Sequence, residues 1–187
     1  MSCLARAIPL GDTLGSWSEF ATAIFAGVAL FGAWFQLRQT RNAGLETRTH
    51  EYMQRYSSPE LIPYQTVAHP LIGAALDPSD PEARTARIEK WKGMSFEKKQ
   101  EVMIVMNFWE ELASMYNRKL VDRTIIHEYF AGVIYDFWEQ SEWLRTFIKS
   151  QYADGAGVYN EFEEMHRDLA QWDRRRRCYA IWAPVLR

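Results

Sequence analysis

The eighteen residues from Phe20 to Leu37, FATAIFAGVALFGAWFQL, carry no charged side chain, and their only polar ones are Thr22 and Gln36, near the ends. As an α-helix rising about 1.5 Å per residue, the run is about 27 Å long, close to the roughly 30 Å hydrocarbon core of a bilayer. A soluble helix of this length needs one polar stripe to face water, and this one is apolar all round. Trp17 and Trp34 fall near its two ends. Indole rings prefer that depth, at the boundary between lipid and water. Residues 17–38 are therefore expected to form a transmembrane helix. Two other readings fit less well. A buried core helix would have to be wrapped by the rest of a chain of only 187 residues. A cleaved signal peptide needs positive charge ahead of the apolar run, and only Arg6 and the amino terminus offer it.

Charge sets the expected orientation. Arg38, Arg41 and Arg48 follow the run, whereas Asp12 and Glu19 precede it. The positive-inside rule then places the following chain in the cytoplasm and residues 1–16 outside, as a short extracytoplasmic tail. Within the span, Ala23 and Gly27 are four apart, as are Ala29 and Ala33. Small residues at that spacing let two helices approach closely, so these four mark a face for helix–helix contact.

After the span the periodicity is helical throughout. Leu45, Tyr52 or Met53, and Tyr56 continue the first helix, with Gly44 as a possible bend. Ser57 or Ser58, Asp80, Ser95 and Asp122 are candidate caps, and Pro59 and Pro81 suit first turns. Pro63 and Pro70 keep the helices after residue 60 short or kinked. Val102, Met106, Trp109, Leu112 or Ala113, and Tyr116 form one stripe. Ile126, Phe130, Val133, Phe137, Leu144 and Ile148 form another on a helix expected from about Arg123 to Gln151, where Gly132 would permit close packing. Phe162, Met165, Leu169 and Trp172 form the stripe of a last helix capped by Asn160. No alternation of period two lasts long enough for a strand. The expected fold is all-α: a single transmembrane helix continuing into a cytoplasmic bundle of about four helices over residues 39–173, then a basic–apolar tail over 174–187. The two cysteines, Cys3 and Cys178, have no metal spacing, and a disulfide framework is not expected.

The stretch MNFWEELASMYNRKLVDRTIIHEYFAGVIYDFWEQSEWLRTFI joins an N-F-W-E-E helix and its following tyrosine to a long helix bearing E-Y-F and F-W, through a short L-V-D link. With the preceding span and its arginine-flanked exit, this resembles the bacterial family called domain of unknown function 4760, over roughly Ser16 to Ser150. The resemblance implies a membrane-anchored helical protein, hence the bacterial inner (plasma) membrane, single-pass. It supplies no activity and no site residues.

Chemical motifs are sparse. Glu163 and His166 are three apart, as in the Glu-x-x-His pairs that hold di-iron or di-manganese sites in bundles. They are the only weak metal candidates, with Glu110, Glu111, Glu128 and Asp136 imaginable as further ligands. A second Glu-x-x-His is absent, and Glu163 also fits a capping box with Asn160. No metal, cofactor or catalytic residue is expected. His127 and Glu128 are adjacent and do not share a helix face. Trp109, Glu110, Glu111 and Tyr116 either line a pocket for a cationic or aromatic ligand or, more simply, divide into core aromatics and a wet acidic face. There is no nucleophile elbow, zinc-protease helix, phosphate-binding glycine loop or C-x-x-C.

The tail places Arg174, Arg175, Arg176 and Arg177 in a row before Tyr179, Ile181 and Trp182. With a net charge of −2 over the chain, nucleic acid is not an expected partner. The cluster suits an anionic membrane surface into which Trp182 dips, or packing on the body. The membrane-interface set is then Trp17, Trp34, Arg38, Arg41, the four tail arginines and Trp182. The expected role is a membrane-anchored binding, sensing or scaffold module whose partners are the bilayer and a protein or a second copy of itself. The alternatives are a metal–carboxylate enzyme and an oligomerising membrane effector.

Overall fold

A computed structural model of the chain describes residues 11–73, 76–77, 80–152 and 157–182. The described residues form helices joined by turns, with no strand: α1 (Gly11–Tyr56), α2 (Ile62–Ile72), α3 (Pro81–Lys92), α4 (Phe96–Asn117), α5 (Arg123–Gln140), α6 (Glu142–Ser150) and α7 (Asn160–Trp182). The chain divides after Gly44 into two compact units. α1 runs without interruption through Gly44.

In the first unit the described part is helix alone. Among the described residues, one helix, near the N-terminus, is long and apolar enough to cross a membrane, and none of its apolar window is buried. Phe25, Leu30 and Leu37 are 75%, 72% and 71% exposed. The alternative of a buried core helix does not describe these residues, because every side chain from Glu19 to Gly44 is exposed. Ala23, Gly27, Ala29 and Ala33 are among them, and a Cβ at Gly27 would meet nothing within 4 Å.

The second unit is built on α4. The expected stripe is buried along its length, with Val102, Met106, Leu112, Ala113 and Tyr116 at 0% exposure and Trp109 at 1%. α4 packs against α7 and α2, α5 packs against α7 and α6, and α3 packs against α6. The Trp109 indole is the hub. Its centroid lies 5.2–6.2 Å from the rings of Tyr56, Phe108, Phe130, Phe137 and Phe162, so α1, α4, α5 and α7 all meet there. Edge-on and tilted ring pairs each contribute about 0.5–1.5 kcal/mol beyond the area they bury.

Capping accounts for several boundaries. Asp80 accepts from the Ala83 N–H at 2.9 Å, Ser95 from Lys98 at 3.5 Å, and Asp122 from Thr124 and Ile125 at 2.8 and 3.1 Å. Each satisfies a first-turn donor that the helix itself leaves free. α4 ends in a Schellman turn: Lys119 donates to the Tyr116 carbonyl and Leu120 to that of Met115. Lys119 sits at φ 59 where such turns normally place glycine.

Three expectations need correction. The helix expected from Arg123 to Gln151 is two helices. Ser141 leaves helical geometry at ψ 0, its hydroxyl donates to the Phe137 carbonyl at 2.6 Å, and Arg145 donates to the Trp138 carbonyl at 2.6 Å. These side chains take up the last carbonyls of α5 and let the chain turn into α6. Gly132 is exposed and has nothing within 4 Å of where a Cβ would stand, so it is not a close-packing site. Asn160 is the first residue of α7, not a residue ahead of it, and the Glu163 carboxylate is held by Lys149 and Arg167.

Candidate functional site

The polar chemistry of the second unit is concentrated along α7. At its start, Glu110 of α4 replaces the expected cap, accepting from the backbone N–H groups of Phe162 at 2.9 Å and Glu161 at 3.3 Å. Burial pushes the Glu110 carboxyl above the usual carboxylate range, and these two N–H groups offset only part of the shift. Asn117 donates to the Glu161 carbonyl at 2.9 Å and to its carboxylate at 2.6 Å. Glu163 receives Lys149 from α6 at 3.2 Å and Arg167 at 3.1 Å, and the hydrogen bond from Lys149 is the main reason its carboxyl lies below the usual range. Asp168 accepts the Tyr116 hydroxyl at 2.8 Å and Arg123 at 3.3 Å, while the Arg123 guanidinium lies 4.4 Å from the Tyr116 ring. Asp173 takes the His127 Nε2 at 2.8 Å and the Tyr135 hydroxyl at 2.9 Å, and His127 stacks on Trp172. Glu163, Asp168 and Asp173 are thus met by side chains from α4, α5 and α6.

Between these clasps lies an aromatic seat. Trp138 of α5 carries the Arg145 guanidinium 3.4 Å from its ring centre. The His166 imidazole stacks on the same indole at 4.8 Å and 14°, and Tyr135 meets His166 edge-on at 5.5 Å. Phe162 closes on Trp138 at 82°. Arg145 is 5% exposed and has no carboxylate within ion-pair distance among the described residues. Burial lowers its pKa to about 10. Burial first, and Arg145 second, hold His166 below the ordinary histidine value.

A second feature is a shallow groove of about 290 Å³ lined by Arg48, Glu51, Tyr52 and Arg55 of α1 and by Glu111 and Met115 of α4. Tyr52 and Arg55 both donate to Glu111, at 3.0 and 2.8 Å. Burial, then the bond to Glu111, pushes the Tyr52 phenol up to about 12.

The residues singled out in the sequence disperse. Trp109 and Tyr116 are core, Glu110 caps α7, Glu111 lies on the exposed groove, and Glu128 and Asp136 are exposed. Glu163 and His166 do share a helix face, yet no group of three or more His, Cys, Asp or Glu able to hold a metal forms among the described residues. Sequence reasoning missed the part-buried His127–Asp173 pair and the Arg145–Trp138–His166 stack. Trp138 and Arg145 are seven apart, a helical repeat, but the break at Ser141 intervenes. Trp17, Trp34, Arg38 and Arg41 are all exposed, with Arg38 5.6 Å from the Trp34 ring centre. Arg174 is exposed and donates to the Ala170 carbonyl. The side chains of Arg175, Arg176, Arg177 and Trp182 lie outside the described residues, although the α7 backbone reaches Trp182.

No match is found among curated proteins or among solved structures. The family described as domain of unknown function (DUF4760) matches residues 23–172, from within the apolar helix to the α7 residue that stacks on His127. On that match, which covers most of the chain, the protein belongs to the domain of unknown function 4760 family.

Proposed function

We propose that this chain is a single-pass protein of the bacterial inner membrane whose helical body lies in the cytoplasm and serves as a binding, sensing or scaffold module. The observation that carries the reading is the uniform exposure of an uncharged helix. Phe20, Phe25, Val28, Leu30, Phe31 and Leu37 are each at least 60% exposed. A contiguous apolar surface of this kind in water is strongly unfavourable at about 25 cal/mol per Å², and lipid removes that cost. The arginines after the run favour the cytoplasmic side for the body. The non-catalytic role is supported by Glu110, Glu111 and Glu163 each being engaged in bonds between helices. The proposed partners are the bilayer and either a protein or a second copy of the chain.

Val28, near the centre of residues 17–38, gives a test whose sign depends on the solvent. Among acyl chains, Val28→Arg costs about 2.5–3.5 kcal/mol and reduces membrane insertion. In water the same change replaces an exposed apolar side chain and is tolerated. The expected result is that the native chain resists extraction by alkaline carbonate and high salt, and that V28R shifts toward the soluble fraction. Complete release of the native chain by salt would defeat the reading. Orientation is checked with the two native cysteines: a membrane-impermeant maleimide should label Cys3 in intact spheroplasts and reach Cys178 only after lysis.

A further inference from the structure

We infer that Trp138 is a proton-controlled seat, on which the Arg145 guanidinium and the neutral His166 imidazole rest together, and that a proton taken up by His166 loosens α7 from α5 and α6. This deepens the sensing role proposed above by naming its signal. It rests on the second unit alone, so it stands or falls separately from the membrane anchor.

The argument is electrostatic and geometric. His166 is half-buried against Trp138 and Tyr135 of α5. A protonated imidazole is attracted to an indole face, but this indole already carries the Arg145 guanidinium, and the half-buried ring has lost part of the water that would solvate its charge. The charged groups around it give little compensation. Arg145 of α6 sits on the same indole and is itself largely cut off from solvent. Glu163, one turn earlier on α7, is the carboxylate that attracts a proton to His166, but it is already held by Lys149 of α6 and Arg167 of α7. Glu142 of α6 is paired with Arg84 of α3. Protonation therefore places a second cation on an indole that already carries a desolvated one. Arg145 is fixed by the Trp138 carbonyl and the Ser141 hydroxyl, so the movable partner is His166, and with it α7.

The sign follows from the lowered pKa of His166. Its contribution to stability is fully present above about 6.5, the unfolded value, and is lost as pH falls through the lower folded value. The window is that of mild acidification. His127 and Asp173 also join α5 to α7, so the test must separate the two histidines.

The experiment uses the full-length chain in detergent micelles. The four histidine rings are followed by carbon-edited NMR between pH 5 and pH 8, and α7 amide exchange, corrected for intrinsic rates, is compared at pH 7.5 and 5.5. His166 should titrate below 6.5. Exchange within α7 should accelerate at acid pH by up to about tenfold for each unit by which that midpoint is lowered. H166Q, which keeps a planar group on the indole, should remove most of that acceleration. R145M should raise the His166 midpoint toward 6.5. A wild-type midpoint at or above 6.5 overturns the inference. So does an acid response of equal size in H166Q. The NMR midpoint is read on the native chain, so a variant that fails to fold does not remove the test.

Discussion

Gly73→Ala probes the corner where α2 ends, and its cost can be worked from two independent terms. Gly73 has φ 72 and ψ −171, a region that side chains with a Cβ scarcely enter, at a cost of about 1–3 kcal/mol. A Cβ there would also stand 3.1 Å from the Cζ and Nη2 of Arg87. That guanidinium is not free to swing away, because its Nη1 donates to the Ile72 carbonyl at 2.6 Å. A hydrogen bond from a charged donor contributes about 1.5–3 kcal/mol. The loss falls at the low end of that range, since Trp143 Nε1 also donates to the Ile72 carbonyl, at 3.1 Å, and keeps it paired. The sum is about 2.5–4.5 kcal/mol, a large part of the roughly 5–15 kcal/mol that holds a typical domain. Urea unfolding of the full-length chain in micelles, followed by tryptophan fluorescence, measures it. Gly132→Ala is the internal control: the position is exposed, helical and open, so alanine should stabilise by about 0.5–1 kcal/mol. The double variant G73A/R87M should cost less than the sum of the singles, because both disturb the same guanidinium. A Gly73→Ala protein within about 0.5 kcal/mol of wild type would refute the reasoning.

Glu110→Ala should lose about 1–2 kcal/mol by freeing the first N–H groups of α7, whereas Glu110→Gln keeps an acceptor for Phe162 and should stay within about 1 kcal/mol of wild type at neutral pH. Because burial raises the Glu110 pKa, its contribution is present in acid and lost as pH rises through the folded value. Glu110→Gln should therefore flatten the stability–pH curve above about 4.5, as scanning calorimetry across pH would show. Lys119→Gly should stabilise by about 1 kcal/mol in the same denaturation assay, since φ 59 suits glycine better than lysine. In an ultraviolet titration, Tyr52, Tyr56, Tyr116 and Tyr159 should all ionise above the ordinary value, chiefly through burial. Their contribution to stability is intact below about pH 10 and lost above it, and Glu111→Gln should bring the Tyr52 phenol down from about 12.

Most of the second unit's elements were legible because their signals are local. The stripe from Val102 to Tyr116 is set by a spacing within one helix, and the caps at Asp80, Ser95 and Asp122 each act within three residues. The errors fall where distant side chains finish a helix end. Glu110 caps α7 from 52 positions away in sequence, which displaces the role expected of Asn160 and frees Glu163 for Lys149. The break at Ser141 depends on Arg145 turning back onto the Trp138 carbonyl, a decision made by packing against α7 rather than by any breaker residue. The Trp138 seat was hidden for the same reason. Its three members lie on three helices, and the apparent continuity of residues 123–151 disguised two of them. The Glu163–His166 spacing was readable, but the residues facing it were not.

The two units use aromatic residues in opposite ways, and the contrast bears on how the apolar helix should be read. Trp109 and Trp143 are 1% and 2% exposed, ringed by other helices or donating to a carbonyl. Trp17 and Trp34 are 70% and 53% exposed, and their ring neighbours are residues of their own helix. Average apolarity does not separate these situations, since buried helices and spans are both rich in phenylalanine and leucine. The angular distribution does. On α4, Glu97, Lys98, Glu101, Asn107 and Glu111 interrupt the apolar positions, so that one face buries and the other hydrates. Between Phe20 and Leu37 no charged residue occurs and the only polar side chains, Thr22 and Gln36, lie near the ends, so no face of this helix could meet water on favourable terms. A solvent that is apolar on every side satisfies that symmetry, and a protein core reached through a single stripe does not.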